Sequence, residues 1–179
     1  MNNKEKAVFG AWIQAIGTIL SAIASTPSTT LREATRNDLD ILGNVLQATG
    51  NALEADAEKY NLNKLGNMIQ SIGNSTVLIG LLSGHETTEK ELSTKGNLLQ
   101  ALGGGLVFVY AIEQEPSYNG LYAIYGNLLQ AIGNSLQALS TNANRKGKNG
   151  QTLDFIGSWI QAIGAVISAI GQTKSNLSL

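Results

Sequence analysis

The chain has 179 residues, a formal net charge of -1 and no cysteine. Only 14% of the residues are charged, so there is no basic stripe to neutralise phosphates and we expect no nucleic-acid partner. The lack of cysteine excludes disulfides, thiolate metal sites and cysteine catalysis. The length suits one domain or a short repeat array. Two prolines favour long helices, whereas 20 glycines argue against them.

The first element is an uncharged run from Ala7 to Leu31 that follows a charged start. A signal peptide begins in this way, and the segment Ala22–Ala24 resembles a cleavage site. The same pattern recurs near the other end of the chain, over Trp159–Ile170, where it cannot be a signal. We therefore interpret the first segment as a repeat unit and expect a cytoplasmic location, with membrane association as the alternative.

Six segments share one frame, which consists of a glycine, a glutamine four residues later and a second glycine three residues after that. We call them the glycine–glutamine segments. They lie 23 to 33 residues apart, which leaves room for one helix and a short connection in each. Their frame residues are Gly10, Gln14 and Gly17; Gly43, Gln47 and Gly50; Gly66, Gln70 and Gly73; Gly96, Gln100 and Gly103; Gly126, Gln130 and Gly133; and Gly157, Gln161 and Gly164.

Apolar residues follow the same frame at heptad positions a, d and g, which predicts helices with an apolar arc facing a core. We predict an all-α fold of six antiparallel helices in a single repeat domain, residues 1–179. The helices would form one compact bundle or a curled array of helix hairpins. The predicted helices cover about residues 4–25, 30–58, 61–82, 88–112, 117–140 and 150–171.

Several helix ends can be predicted from local signals. Thr30–Glu33 and Thr88–Glu91 have the spacing of capping boxes for the second and fourth helices. Ser117 is a candidate N-cap for the fifth helix, and Asn142–Gly150 reads as a loop. We place the break between the second and third helices near Tyr60.

The frame glycines are costly, because twelve of them inside helices lose on the order of 10 kcal/mol relative to alanine. Close packing of neighbouring helices would compensate for this cost. The alternative is that the segments resemble one another only because they arose by duplication. An asparagine follows the first glycine in four segments and is predicted to point away from the core; these residues are Asn44, Asn67, Asn97 and Asn127.

The frame glutamines admit two interpretations. Their amides could bond across helix pairs as a buried polar ladder that fixes register. Alternatively, each amide is solvated on the helix surface.

Catalytic signals are missing. The single histidine, His85, falls in a predicted loop, and no metalloprotease or di-iron motif is present. The acidic group Glu54, Asp56 and Glu58 is predicted to be a solvated helix end, and Gly103–Gly105 lacks the context of a phosphate loop. We therefore predict no enzyme, no cofactor and no metal site.

The remaining function classes are non-enzymatic. We predict a structural or protein-interaction helical protein whose partner is itself or another protein. Trp12 and Trp159, in the two most apolar segments, are candidates for an association surface. The alternative is an amphipathic membrane-active protein, either pore-forming or membrane-associating.

The segment from Gly126 to Ser135, Gly-Asn-Leu-Leu-Gln-Ala-Ile-Gly-Asn-Ser, resembles the repeat of uncharacterised repetitive all-helical proteins of Bacillus-type bacteria. The resemblance extends over all six segments. It implies a helical domain of unknown function and no mechanism.

Overall fold

A computed structural model describes residues 1–27, 30–115 and 117–177, and its described residues form six α-helices and no strand. The predicted all-α class and the number of helices are confirmed. The helices are α1 (Asn3–Ser25), α2 (Glu33–Ala57), α3 (Leu62–Leu82), α4 (Glu86–Glu113), α5 (Gly120–Arg145) and α6 (Gln151–Leu177).

Neither predicted capping box is present. The helix α2 begins at Glu33, and its N-cap is the extended Arg32, whose side chain makes no capping hydrogen bond. The helix α4 begins at Glu86, so Thr88 already lies inside its first turn. Gly84, with φ of 68°, allows the chain to turn into α4 early.

The fifth helix also differs from its prediction. It begins at Gly120 after Asn119, and the Ser117 hydroxyl accepts a hydrogen bond of 2.9 Å from the Gly120 N–H instead of occupying the N-cap. The helix continues to Arg145, so the first four residues of the predicted loop, Asn142–Arg145, are helical and the loop is shorter than predicted. The chain leaves the helical direction at Gly147, which has φ of 70°.

The six helices form a closed ring. Each helix packs against its neighbours in sequence, and α6 packs back onto α1. Within the described part of the chain, no helix packs against a helix that is not its neighbour in this ring. The interior is therefore an axis that all six helices face.

Glycines bring the helices together in three close pairs, α1–α2, α3–α4 and α5–α6. A Cβ atom added to any of the twelve frame glycines would lie 2.5 to 2.8 Å from a glycine carbonyl oxygen of the paired helix. The first glycine of one helix faces the second glycine of its partner. The pairs are Gly10 with Gly50, Gly17 with Gly43, Gly66 with Gly103, Gly73 with Gly96, Gly126 with Gly164, and Gly133 with Gly157.

The predicted orientation of the apolar arc is wrong, because the arc faces outward. The buried hydrophobic residues are alanines together with Val77 and Val107. Every helix exposes leucine or isoleucine side chains, and α1 and α6 also expose a tryptophan each. The frame glycines lie at the contact with the paired helix and the glutamines on the same stripe are buried, so the apolar positions are left on the outside. The interior is filled instead by small and amide side chains; the largest fully buried ones are Asn51, Asn74, Asn134, Thr18 and Ser140.

Candidate functional site: the polar axis of the ring

The six frame glutamines lie in the interior of the ring. Each is only 2 to 5% exposed, so the interpretation as solvated surface amides is wrong. A glutamine four residues after one glycine and three before the next lies on the same helical stripe as both. The contact that buries the glycines therefore turns the amides inward.

Hydrogen bonds between these amides cross the ring and join helices that do not pack against each other. Gln14 Nε2 donates to Gln130 Oε1 at 2.9 Å, which links α1 to α5. Gln161 Nε2 donates to Gln47 Oε1 at 3.0 Å and to Gln100 Oε1 at 3.4 Å, which links α6 to α2 and α4. These two clusters form a layer of amides across the axis, which we call the glutamine layer.

The asparagines after the first glycines face inward as well, which corrects their predicted orientation. Asn44, Asn67 and Asn97 are buried, and Asn127 is partly buried. Asn67, Asn97 and Asn127 each accept a hydrogen bond of 3.4 to 3.5 Å from the glutamine of their own segment. The stripe facing the axis is therefore wider than the glycine–glutamine line alone.

Three further asparagines follow second glycines, and sequence reasoning missed their role. Asn51, Asn74 and Asn134 are at most 1% exposed, and the Oδ1 atom of each has no hydrogen-bond partner. A buried acceptor without a partner costs free energy, so it calls for a donor or a cation. The signal was available as the Gly-Asn pairs at 50–51, 73–74 and 133–134.

A cavity opens at each end of the axis. The wide cavity, of about 1070 Å³, is lined by residues that include Ser21, Asp40, Asn44, Gln47, Gln100 and Asp154. The narrow cavity, of about 280 Å³, is lined by residues that include Glu54, Glu58, Asn63, Tyr110, Asn127 and Ser168. Gln47 and Gln100 belong to the glutamine layer, and Ser168 accepts a bond of 3.2 Å from Gln130, so the layer separates the two cavities.

Two carboxyl groups of α2 mark the two cavities. Desolvation raises the pKa of Asp40 to about 6, with Glu89 adding a like charge and hydrogen bonds from Ser21 and Asn44 opposing the rise. Desolvation raises the pKa of Glu54 to about 8, and Glu58 adds to the rise. The Oε1 atom of Glu54 is buried without a partner, so the prediction that this residue is solvated is wrong.

The other residues singled out from the sequence lie outside the axis. His85 is exposed at the start of α4, and Asp56 is exposed and paired with Lys6. Within residues 1–27, 30–115 and 117–177 no three histidine or acidic side chains are placed to hold a metal ion. The site is therefore a polar axis between two cavities.

Trp12 and Trp159 lie on the outer surface, where α1 meets α6. Their indole N–H groups donate to Thr173 Oγ1 at 3.0 Å and to Thr26 Oγ1 at 2.9 Å. The two residues remain 38% and 36% exposed. The two residues thus bridge the contact that closes the ring, with an apolar face left outward on each.

Comparison with protein families gives one match, over residues 5–169, which spans every frame residue from Gly10 to Gly164. The family is described as a family of unknown function, DUF6944. The chain belongs to DUF6944. Membership of DUF6944 assigns no activity, and neither a curated protein nor a solved structure matches the chain significantly.

Among the described residues of this DUF6944 protein, two helices are long and apolar enough to cross a membrane by length and composition, Asn3–Ser25 and Gln151–Asn176. Half of the first span is buried inside the fold, and it lies near the N-terminus, so a buried core helix or a signal sequence would pass the same criterion. These are the two helices that meet to close the ring.

Proposed function

We propose that this protein is a non-enzymatic membrane protein, a ring of three antiparallel helix hairpins whose outer surface contacts lipid. The observation that carries the proposal is the reversed polarity of the ring, with amides on the axis and large apolar side chains outside. A soluble bundle gains its stability by burying such side chains, whereas a bilayer accepts them on the surface.

The exposed apolar side chains form a belt around the whole ring, which we call the apolar belt. Every helix contributes to it, so a contact with one partner on one side would leave most of it in water. Its members are Trp12, Ile16, Leu42, Val45, Met68, Ile72, Ile79, Leu98, Leu102, Val109, Tyr125, Ile132, Leu139, Ile156, Trp159 and Ile163.

Several helices contain long stretches without charged residues. The stretch Leu65–Leu82 of α3 and the stretch Phe155–Thr173 of α6 contain none. At 1.5 Å per residue these stretches measure roughly 27 and 29 Å, close to the thickness of a bilayer core. In α2 the uncharged stretch is Ile41–Leu53, with Asp40 and Glu54 just outside it.

Two hydroxyl groups on the outer surface donate hydrogen bonds to a carbonyl of their own helix. Thr49 Oγ1 donates to the Val45 carbonyl at 2.8 Å, and Ser135 Oγ donates to the Ala131 carbonyl at 2.7 Å. A hydroxyl bonded to the preceding turn of its own helix needs no water. These residues therefore add little to the cost of placing the belt in lipid.

Flotation with liposomes tests the proposal. Purified protein should be monodisperse in detergent, aggregate when detergent is removed, and float with phosphatidylcholine vesicles in a density gradient. A monodisperse species that forms without detergent and stays at the bottom of the gradient contradicts membrane insertion.

A second candidate is a non-enzymatic structural protein that associates with copies of itself or with another protein through the belt. It is favoured by the finding that only two of the six helices qualify as membrane spans. Under this proposal, Trp12 and Trp159 lie at the association surface. The same preparation would then form a soluble oligomer, and replacing both tryptophans by alanine would dissociate it.

A further inference from the structure

One helix carries a polar stripe that runs along the axis from one cavity to the other. On α2 the stripe has spacings of three and four residues, which keep its members on one helical face. It consists of Asp40, Asn44, Gln47, Asn51, Glu54 and Glu58. The first three line the wide cavity, and the last two line the narrow cavity.

Two consecutive members of this stripe have an oxygen without a partner. Asn51 is 1% exposed and its Oδ1 atom is unpaired, and one turn further on the Oε1 atom of Glu54 is unpaired as well. An unpaired oxygen accepts a hydrogen bond or coordinates a cation, and it repels an anion. Asn74 adds another unpaired oxygen to the interior, and both amide atoms of Asn134, Nδ2 and Oδ1, are unpaired.

The charges around both cavities favour the same sign of ion. The wide cavity is lined by five acidic residues, Glu33, Asp40, Glu86, Glu89 and Asp154, and by two basic ones, Arg36 and Lys90. The narrow cavity is lined by the carboxyl groups of Glu54, Glu58 and Glu115, with no lysine or arginine among its described lining residues. Glu54, whose pKa is raised to about 8, adds its charge only as the pH rises toward that value. Low-dielectric walls around like charges focus the field and concentrate counter-ions, here cations.

We propose that the axis of the ring is a conduit for small monovalent inorganic cations, which pass between the two cavities through the glutamine layer. This inference rests on the proposed membrane function. In the structure the layer is closed by bonds such as Gln14 to Gln130, so a cation passes when the amides rotate and their oxygens replace part of its water. A cation beside Glu54 would also offset the desolvation of its carboxyl.

Current across planar bilayers tests the conduit. With protein added to a bilayer that separates two KCl concentrations, the reversal potential should have the sign expected for K⁺ and lie near its equilibrium value. At about pH 9, above the raised pKa values of both carboxyl groups, the double substitution Asp40→Asn and Glu54→Gln should reduce the cation-to-anion permeability ratio at least several-fold. Gln161→Leu, at the centre of one amide cluster, should lower the conductance about tenfold or more.

Asp56→Asn is the matched control, because Asp56 is two residues from Glu54 but exposed and outside the cavity lining. It should leave conductance and permeability ratio unchanged. Flotation and circular dichroism of every variant verify insertion and folding. Protein that floats with vesicles but carries no current, or a current selective for anions, overturns the conduit and leaves the membrane proposal intact. Protein that does not float overturns both.

Discussion

Gly103 and Gly105, two residues apart in α4, differ in how closely another helix approaches them. A Cβ atom at Gly103 would lie 2.5 Å from the carbonyl oxygen of Gly66, whereas one at Gly105 would meet no atom within 4 Å. Gly103 therefore permits a close helix contact, and Gly105 only lowers the helix propensity of its segment.

Substitution by alanine should separate these two roles. We expect Gly103→Ala to destabilise the protein by about 2–4 kcal/mol, because the contact with α3 must open. Gly105→Ala should stabilise it by about 0.5–1 kcal/mol through higher helix propensity. Thermal unfolding followed by circular dichroism measures both, and equal effects at the two positions would contradict the close-contact explanation.

The buried carboxyl of Glu54 predicts a dependence of stability on pH. Its pKa is raised from 4.5 to about 8 in the folded state, so the folded state holds this proton more tightly than the unfolded state. The contribution to the free energy of unfolding is then full below about pH 4.5 and is lost as the pH rises to about 8. Its size is on the order of a few kcal/mol.

Glu54→Gln should remove this dependence. The variant should unfold at the same temperature as the unmodified protein at about pH 5 and at a higher temperature at about pH 9. Asp56→Asn serves as control, since a hydrogen bond and an ion pair with Lys6 lower the pKa of Asp56 and its loss should give no gain at high pH. A Glu54→Gln variant whose melting temperature follows that of the unmodified protein at both pH values would show that the carboxyl is solvated.

At the scale of the element, helix formation could be predicted from the sequence but the direction of each face could not. The spacing of apolar residues shows that α5 and α6 have an apolar arc, yet the same arc would serve a core or an outer surface. The deciding feature is the contact between helices, such as that of Gly126 with Gly164, which places the glycine–glutamine stripe inside the ring. That contact joins two helices, so no single segment reveals it. The inward-facing asparagines were mispredicted for this reason.

The amide bonds between helices that do not pack together should contribute coupled stability. Replacing Gln14 and Gln130 by alanine, singly and together, should give a coupling free energy of about 0.5–3 kcal/mol. Either single substitution already removes the hydrogen bond between the two side chains, so the double substitution removes no further bond between them. Gln14 and Gln100 belong to different clusters, so that pair should be additive. Chemical or thermal unfolding of the variants supplies the values, and additivity of both pairs would rule out a bond across the axis.

At the scale of the whole molecule, the reversed polarity means that the effect of a surface substitution depends on whether water or lipid surrounds the protein. Ile72 is 55% exposed in the apolar belt, and Tyr60 is 84% exposed in the connection between α2 and α3. In water, a charge at either position should change the free energy of unfolding by less than about 0.5 kcal/mol. In a bilayer, only the charge in the belt faces hydrocarbon.

Ile72→Glu should therefore greatly reduce the fraction of protein that floats with vesicles, since a carboxylate at the centre of a span costs about 2.5–3.5 kcal/mol. Tyr60→Glu should float like the unmodified protein. If both variants float equally, the belt does not contact lipid.

Because α1 packs against α6, the two ends of the ring of helices lie beside each other and could be joined covalently. Ala7 and Ser175 line the same narrow cavity, so the first and last helices enter and leave at one end of the ring. A circular permutant that joins these ends by a flexible linker and opens the chain between Lys146 and Gly150 should fold to the same ring. The α1–α6 contact would then become a local hairpin, whereas the close glycine pair α5–α6 would join the residues most distant in sequence, so refolding should be slower. Stopped-flow refolding of the two connectivities, with equal helix content at equilibrium, measures the difference.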